Sequence, residues 1–218
     1  MDSFNKSNNR RNFIRATGLM SVAGFSGIML PSITVGNENN PADDRPNVIG
    51  PRTGFSPQVG TLLSMMNWMR GPVLRTAKGL SVEQLDFIFD AESNSIGSML
   101  LHLAATERYY QLNTFDGLPW GSWDKSIKEQ WDTAMNLGDE GRKKIKGHNF
   151  EYYSNILTET RLKTIEEFKK RDDEWLMKVD EKWPWGPTNN YCKWFHVCEH
   201  ESNHNGQMKW IKSRLPGV

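Results

Sequence analysis

The sequence predicts an all-α protein built as a four-helix bundle. Three observations carry that expectation. Four long segments repeat apolar residues at helical spacing, breaks containing glycine and proline separate them, and no segment alternates apolar and polar residues as a strand would. The 218 residues suggest one domain of ordinary size, large enough to bury a core. A formal net charge of +1 gives no electrostatic footprint for nucleic acid, so none is expected as a partner.

Residues 1–36 are expected to be a signal segment outside the fold. Asn9-Arg10-Arg11-Asn12-Phe13-Ile14-Arg15 precedes an apolar run rich in small residues, Ala16 to Leu30. A basic start followed by a short apolar run is a signal-peptide layout and is too short to span a bilayer comfortably. The paired arginines and Phe13 resemble a twin-arginine export signal. That makes the twin-arginine translocon a partner during export, and the mature protein periplasmic or associated with the cell envelope. Residues 37–55, polar and punctuated by proline, read as a linker, which leaves 56–218 as the helical domain.

The first helix opens at Ser56-Pro57, where the missing proline N–H costs nothing. Val59, Leu62, Leu63, Met66, Trp68 and Met69 follow helical spacing, with a kink expected at Gly71-Pro72 and an end near Ala77. Ser81 to Asp86 is a connection with room for a short helix. Asn94 or Ser95 caps the second long helix, carried by Ile96, Met99, Leu100, Leu103 and Tyr110 and ending near Phe115-Asp116-Gly117. Residues 118–149 read as a long connection holding Trp120, Trp123 and Trp131. Its basic run, Arg142 to Lys146, is assigned to a solvated face. The third helix is expected from Phe150 to about Val179. Trp183-Pro184-Trp185-Gly186-Pro187 then breaks the chain, and the fourth helix runs from Thr188 to Arg214.

The fourth helix carries the candidate chemistry. His196, His200 and His204, three of the five histidines, recur every four residues. At about 100° per residue, His200 and His204 lie about 40° and 80° round from His196, on one face. Neutral imidazoles gathered at the edge of an apolar interior are the raw material of a metal site. The pair His200/His204 is not read as a zincin protease helix. The two cysteines, Cys192 and Cys198, stand ~9 Å apart along a helix, beyond the ~7 Å limit for a disulfide.

A closed site needs a ligand from elsewhere, and His102 is the one remaining histidine within a long helix. It stands about 14 residues before the end expected near 116, while His200 and His204 stand about 12 and 16 residues after a start near 188. If the second and fourth helices are antiparallel neighbours, all three lie roughly 18–24 Å from one end of the bundle. The expected triad is therefore His102, His200 and His204, one divalent metal with an open fourth position. His196 is expected beside it or at the pocket mouth, with Glu107, Glu199 and Glu201 as orienting groups. Glu201 is the one carboxylate offered as a general base. The loops bearing Trp120 and Trp185 should meet at one end of the bundle, where they roof the pocket or simply plug that end.

Ser95-Ile96-Gly97-Ser98-Met99-Leu100-Leu101-His102 with Glu107, and His196 through His204-Asn205-Gly206-Gln207, resemble the two signature helices of the DinB-like superfamily of metalloenzymes. The resemblance spans roughly residues 56–217. It implies an up-down-down-up four-helix bundle with a long crossover between helices 2 and 3, and carries the three metal ligands over onto His102, His200 and His204. It also places Gln207 beside the site, although Asn205 stands where the family often has Arg. Members use zinc, nickel or iron, and include S-transferases of the low-molecular-weight thiols bacillithiol and mycothiol. An exported metal-dependent enzyme acting on a small-molecule substrate follows, by presenting a thiolate to an electrophile or by activating water for hydrolysis. The alternative is a non-catalytic, metal-binding or metal-stabilised envelope protein. Homodimerisation through an outer face is a further expectation for such helices.

Overall fold

In a computed structural model the described residues are 45–216. The chain divides into a unit of Met1–Glu38, outside the described residues together with the expected export signal, and a unit of Asn39–Val218. The second unit is mostly helical, in the order α1 (Pro57–Ala77), α2 (Val82–Leu85), α3 (Ile96–Thr114), α4 (Lys125–Asn136), α5 (Gly138–Lys144), α6 (Phe150–Phe168) and α7 (Asp173–Met177). Two short strands, β1 (Val179–Asp180) and β2 (Thr188–Asn189), precede α8 (Asn190–Lys212). No described helix is long and apolar enough to cross a membrane.

The helix starts follow local chemistry. Ser81 and Gln84 form a reciprocal capping box on α2. The side chains of Ser95, Asn149 and Asn189 accept from the backbone N–H three residues on, opening α3, α6 and α8. α1 continues through Pro72 to Ala77, with Pro57 in its first turn.

Four expectations need correction. The third long helix ends at Phe168 rather than near Val179, because Asp172 caps the separate short helix α7 through Trp175 N–H. The segment 118–149 is largely helical. α4 turns Ile127, Trp131, Ala134 and Met135 toward α3, and its end is hidden in sequence because Leu137 (φ 55°) and Gly138 (φ 62°) reverse the chain in two residues. Strand pairing exists where none was expected: Val179 faces Asn189 and Asp180 faces Thr188, antiparallel. The fourth long helix accordingly starts at Asn190 and stops at Lys212.

The long helices are held by bonds whose order gives their relative direction. From α3 to α8 the bonded pairs are His102 with His200, Tyr110 with His196, and Thr114 with Trp194, so residue numbers run in opposite senses. From α1 to α8 they are Arg70 with Glu201 and Thr76 with Asn205, running in the same sense. α3 and α6 also run together: Gly97 lies against Tyr153 and Gln111 bonds Thr164. Gly97 is required there, since a Cβ would sit 2.8 Å from the Tyr153 hydroxyl.

Two apolar clusters fill the interior. One centres on Ile96, Leu100, Tyr153, Leu157 and Met208, the other on Leu62, Met66, Tyr110, Phe168 and Trp194. Among the described residues one buried charge from each long helix joins a common ion-pair group. Arg70 (α1) bonds Glu107 (α3) at 2.8 Å and Glu201 (α8) at 2.7 Å. Arg161 (α6) bonds the same two carboxylates, each at 2.7 Å. Burial alone would raise the Glu107 pKa, but the guanidiniums of Arg161 and Arg70 overcome it and hold the carboxyl below its ordinary range.

Candidate metal centre

Opposed helices α3 and α8 bring His102, His200 and His204 together. His102 Nε2 lies 2.8 Å from His200 Nε2, and His204 Nε2 lies 3.1 Å from the same atom. His102 and His204 are buried and His200 half-buried. Each offers one ring nitrogen to a space in which those atoms all lie within 4.8 Å of one another.

The outer ring nitrogens show why this space suits a cation. His102 Nδ1 is 2.9 Å from the Ala134 carbonyl of α4, which can only accept, so the ring hydrogen is on Nδ1 and the Nε2 lone pair faces inward. His204 Nδ1 is 3.0 Å from Gln207 Oε1. That amide is oriented by its own Nε2, which donates to Asn203 Oδ1 at 3.1 Å, so His204 also turns a lone pair inward. His200 Nε2 carries at most one hydrogen and can satisfy one of these two neighbours. The other N···N approach is lone pair against lone pair, a repulsion that a shared cation removes. Three imidazoles on a tetrahedral ion, with bonds of about 2.0–2.1 Å, have nitrogens about 3.3 Å apart. The two approaches at His200, 2.8 and 3.1 Å, need to open only slightly.

The electrostatics agree. Burial, then the neighbouring His204, His102 and His196, pushes the His200 pKa down to about 3. Burial and His102 push His204 down to about 4, against the opposing bond from Gln207. Burial lowers His102 as well. All three are neutral at physiological pH, the form that ligates.

The remaining site residues are placed as follows. His196, half-buried, stands with its ring 5.1 Å from that of His200, and its Nδ1 is 2.9 Å from the Tyr110 hydroxyl. Its Nε2 is 3.7 Å from Glu199. Trp185, 59% exposed, packs edge-on to His196 at 5.0 Å. Trp120 reaches this row through Tyr110, at 5.2 Å, and through the second tryptophan loop at Trp183, 4.9 Å away. Gln207 holds His204. Glu107 orients nothing in the cluster, because both its oxygens are bonded to arginine and to Thr164.

Glu201 corrects the sequence expectation. His200-Glu201-Ser202-Asn203-His204 conforms letter for letter to H-E-x-x-H, a match that the sequence reading discounted. In that motif the glutamate is a general base. Here Glu201 is 1% exposed and its Oε1 is bonded to Arg70 and Arg161. Through Oε1 it is a helix-to-helix tie, while its Oε2 is buried without a hydrogen-bond partner.

Three contributors escaped the sequence reading. The Ala134 carbonyl lies in a segment read as connection and left no side-chain signal. Arg70 and Arg161 did leave one: each stands four residues after an apolar core position, Met66 and Leu157, on a stripe where a charge needs a partner.

A mostly helical protein with a three-imidazole cluster shared by two opposed helices defines the DinB-like class. The mycothiol-S-transferase family model matches residues 61–217, and the chain belongs to that family. Solved structures with a similar fold include a conserved protein from Enterococcus faecalis (TM-score 0.55, 15% identity, covering 72% of this chain and 96% of the other). An uncharacterised protein from Clostridium difficile 630 is comparable (TM-score 0.53, 15% identity, 72% and 97%). At that identity the likeness speaks for the fold alone. No curated protein matches the chain.

Proposed function

We propose that this chain is a metal-dependent S-transferase that joins a low-molecular-weight thiol to an electrophilic small molecule, with His102, His200 and His204 as ligands of one divalent ion. The observation that carries the reading is the pair of outward Nδ1–H bonds, to Ala134 and Gln207, which commit two inward nitrogens to act as acceptors. Membership of the mycothiol-S-transferase family supports a thiol as co-substrate. The helix directions read from cross-bonds support an up-down-down-up four-helix bundle, with 117–149 as the crossover.

A bound divalent ion supplies acidification of the thiol and compensates the charge of the thiolate. The chain does the rest. Ala134 and Gln207 fix the His102 and His204 tautomers and ring angles. Glu201, tied to both arginines, sets the α8 register that presents His200. His196 Nδ1 shares a hydrogen bond with the Tyr110 hydroxyl, 2.9 Å away, and with the phenol as donor the imidazole hydrogen stands on Nε2. That N–H is a donor beside the cluster for a departing group. In the transfer, a C–S bond forms as the acceptor carbon loses its leaving group with the electron pair, and the thiol proton passes to solvent.

The test is turnover by the zinc-, nickel- or iron-loaded chain with mycothiol or bacillithiol and 1-chloro-2,4-dinitrobenzene. Wild type should exceed His200→Ala by at least a hundredfold. Equal rates in the two, with wild type fully loaded, would overturn the assignment. We further propose that the protein acts in the periplasm or envelope, a reading supported by Arg10-Arg11 and the apolar run after them. A cytoplasmic location unchanged by Arg10→Lys/Arg11→Lys would refute it.

A further inference from the structure

A cavity of about 560 Å³ lies one helical turn beyond the histidine cluster, on the side away from the tryptophan loops. Met99, three residues before His102, and Gln207, three residues after His204, both line it. Its wall is thus bonded directly to the cluster, since Gln207 Oε1 is the partner of His204 Nδ1. Met99 and Ile211 form an apolar surface that is almost wholly buried. At the rim Trp210 is 44% exposed, and Phe89 packs edge-on against it at 4.7 Å. Asn94 also lines the cavity, and its Oδ1 is shut from solvent without a hydrogen-bond partner. An unpaired buried acceptor is costly, and a turn of the Asn94 amide that brings Oδ1 to the cavity surface lets a ligand donor satisfy it. Gly206 leaves the floor open: a Cβ there would meet nothing within 4 Å.

We propose that this cavity holds the acceptor of the transfer, an apolar, ring-bearing small molecule with one hydrogen-bond donor directed to Asn94 Oδ1. The assignment rests on the histidine cluster being the reaction centre. It separates the two substrates, with the thiol on the half-exposed His196 side and the acceptor on the Met99–Trp210 side. Apolar walls gain from covering such a ring, while the single polar group fixes its orientation.

The probe is indole, with 1-methylindole as the same body lacking the donor, titrated calorimetrically into the metal-loaded chain. Indole should bind one per chain, several-fold more tightly than 1-methylindole. Gly206→Leu fills the space from an exposed helical position and should weaken indole at least tenfold, with helical content and metal load unchanged. Trp210→Ala removes a wall instead of adding bulk and should weaken it similarly, which keeps the test open if the leucine variant fails to fold. Asn94→Ala should abolish the preference for indole. Indole binding untouched by both cavity variants, or no binding in fully loaded wild type, would overturn the proposal. An undiminished preference in Asn94→Ala would overturn the role of Asn94. Metal content and thiol-dependent turnover are read on the same samples, so a failure of the cavity assignment is distinguishable from a failure of the reaction centre.

Discussion

Removing Arg161 should destabilise the fold severely, and removing its partner with it should recover much of the loss. Arg161 donates to Glu107 Oε1 at 2.7 Å, Glu107 Oε2 at 3.1 Å, Glu201 Oε1 at 2.7 Å and Asn67 Oδ1 at 3.1 Å. Arg161→Met leaves one guanidinium against two carboxylates that are 0% and 1% exposed. Breaking a buried pair from one side costs about 3–5 kcal/mol, against a total stability of roughly 5–15 kcal/mol. Arg161→Met/Glu107→Leu instead leaves Arg70 and Glu201 as a neutral pair, still bonded at 2.7 and 3.1 Å. The double variant should lie within about 2 kcal/mol of wild type, because replacing a whole buried pair by apolar side chains is often close to neutral. Urea unfolding followed by far-UV circular dichroism measures this, with the denaturant slope checked for constancy. A double variant as unstable as the sum of the two single variants would show that the charges do not act as one balanced group.

Glu107 also sets a pH dependence. Its folded carboxyl titrates below its unfolded value, so its contribution is complete above an unfolded pKa of about 4.3 and is lost as pH falls through the lower folded value. Glu107→Gln should flatten stability against pH in that acid range, and an unchanged slope would exclude this carboxyl as its source. Gln207→Ala frees His204 Nδ1 and should weaken metal binding about 10–100-fold, measured by chelator competition, with little change in unfolding midpoint. Gly97→Ala should cost about 1–3 kcal/mol by forcing the Tyr153 ring away, whereas Tyr153→Phe, which removes a buried hydroxyl without a partner, should be nearly neutral. Thermal unfolding distinguishes those two outcomes.

The helices that carry the cluster were legible because their signals are local. Capping by Ser95, four-residue histidine spacing and the tryptophan-proline break before α8 all lie in contiguous sequence. His102 could be matched to His200 and His204 because helical rise turns residue number into depth. What the sequence hid depends on partners distant along the chain. The Ala134 carbonyl has no side-chain identity, and α4 has a charged outer face that masks its apolar stripe. The two-residue ladder of β1 and β2 is too short to show alternation. Glu201 illustrates the limit most clearly. Sequence offered it as a base, and only the arrival of Arg70 and Arg161 from two other helices reveals a buried ion-pair partner.

The central claim is a metal site shared by α3 and α8, and elemental analysis of wild type beside His102→Ala, His200→Ala and His196→Ala tests it most directly. The account predicts close to one divalent ion per chain in wild type and in His196→Ala, and loss of that ion in both of the other variants. Full retention of metal in His102→Ala, or its loss in His196→Ala with His102 intact, would contradict it.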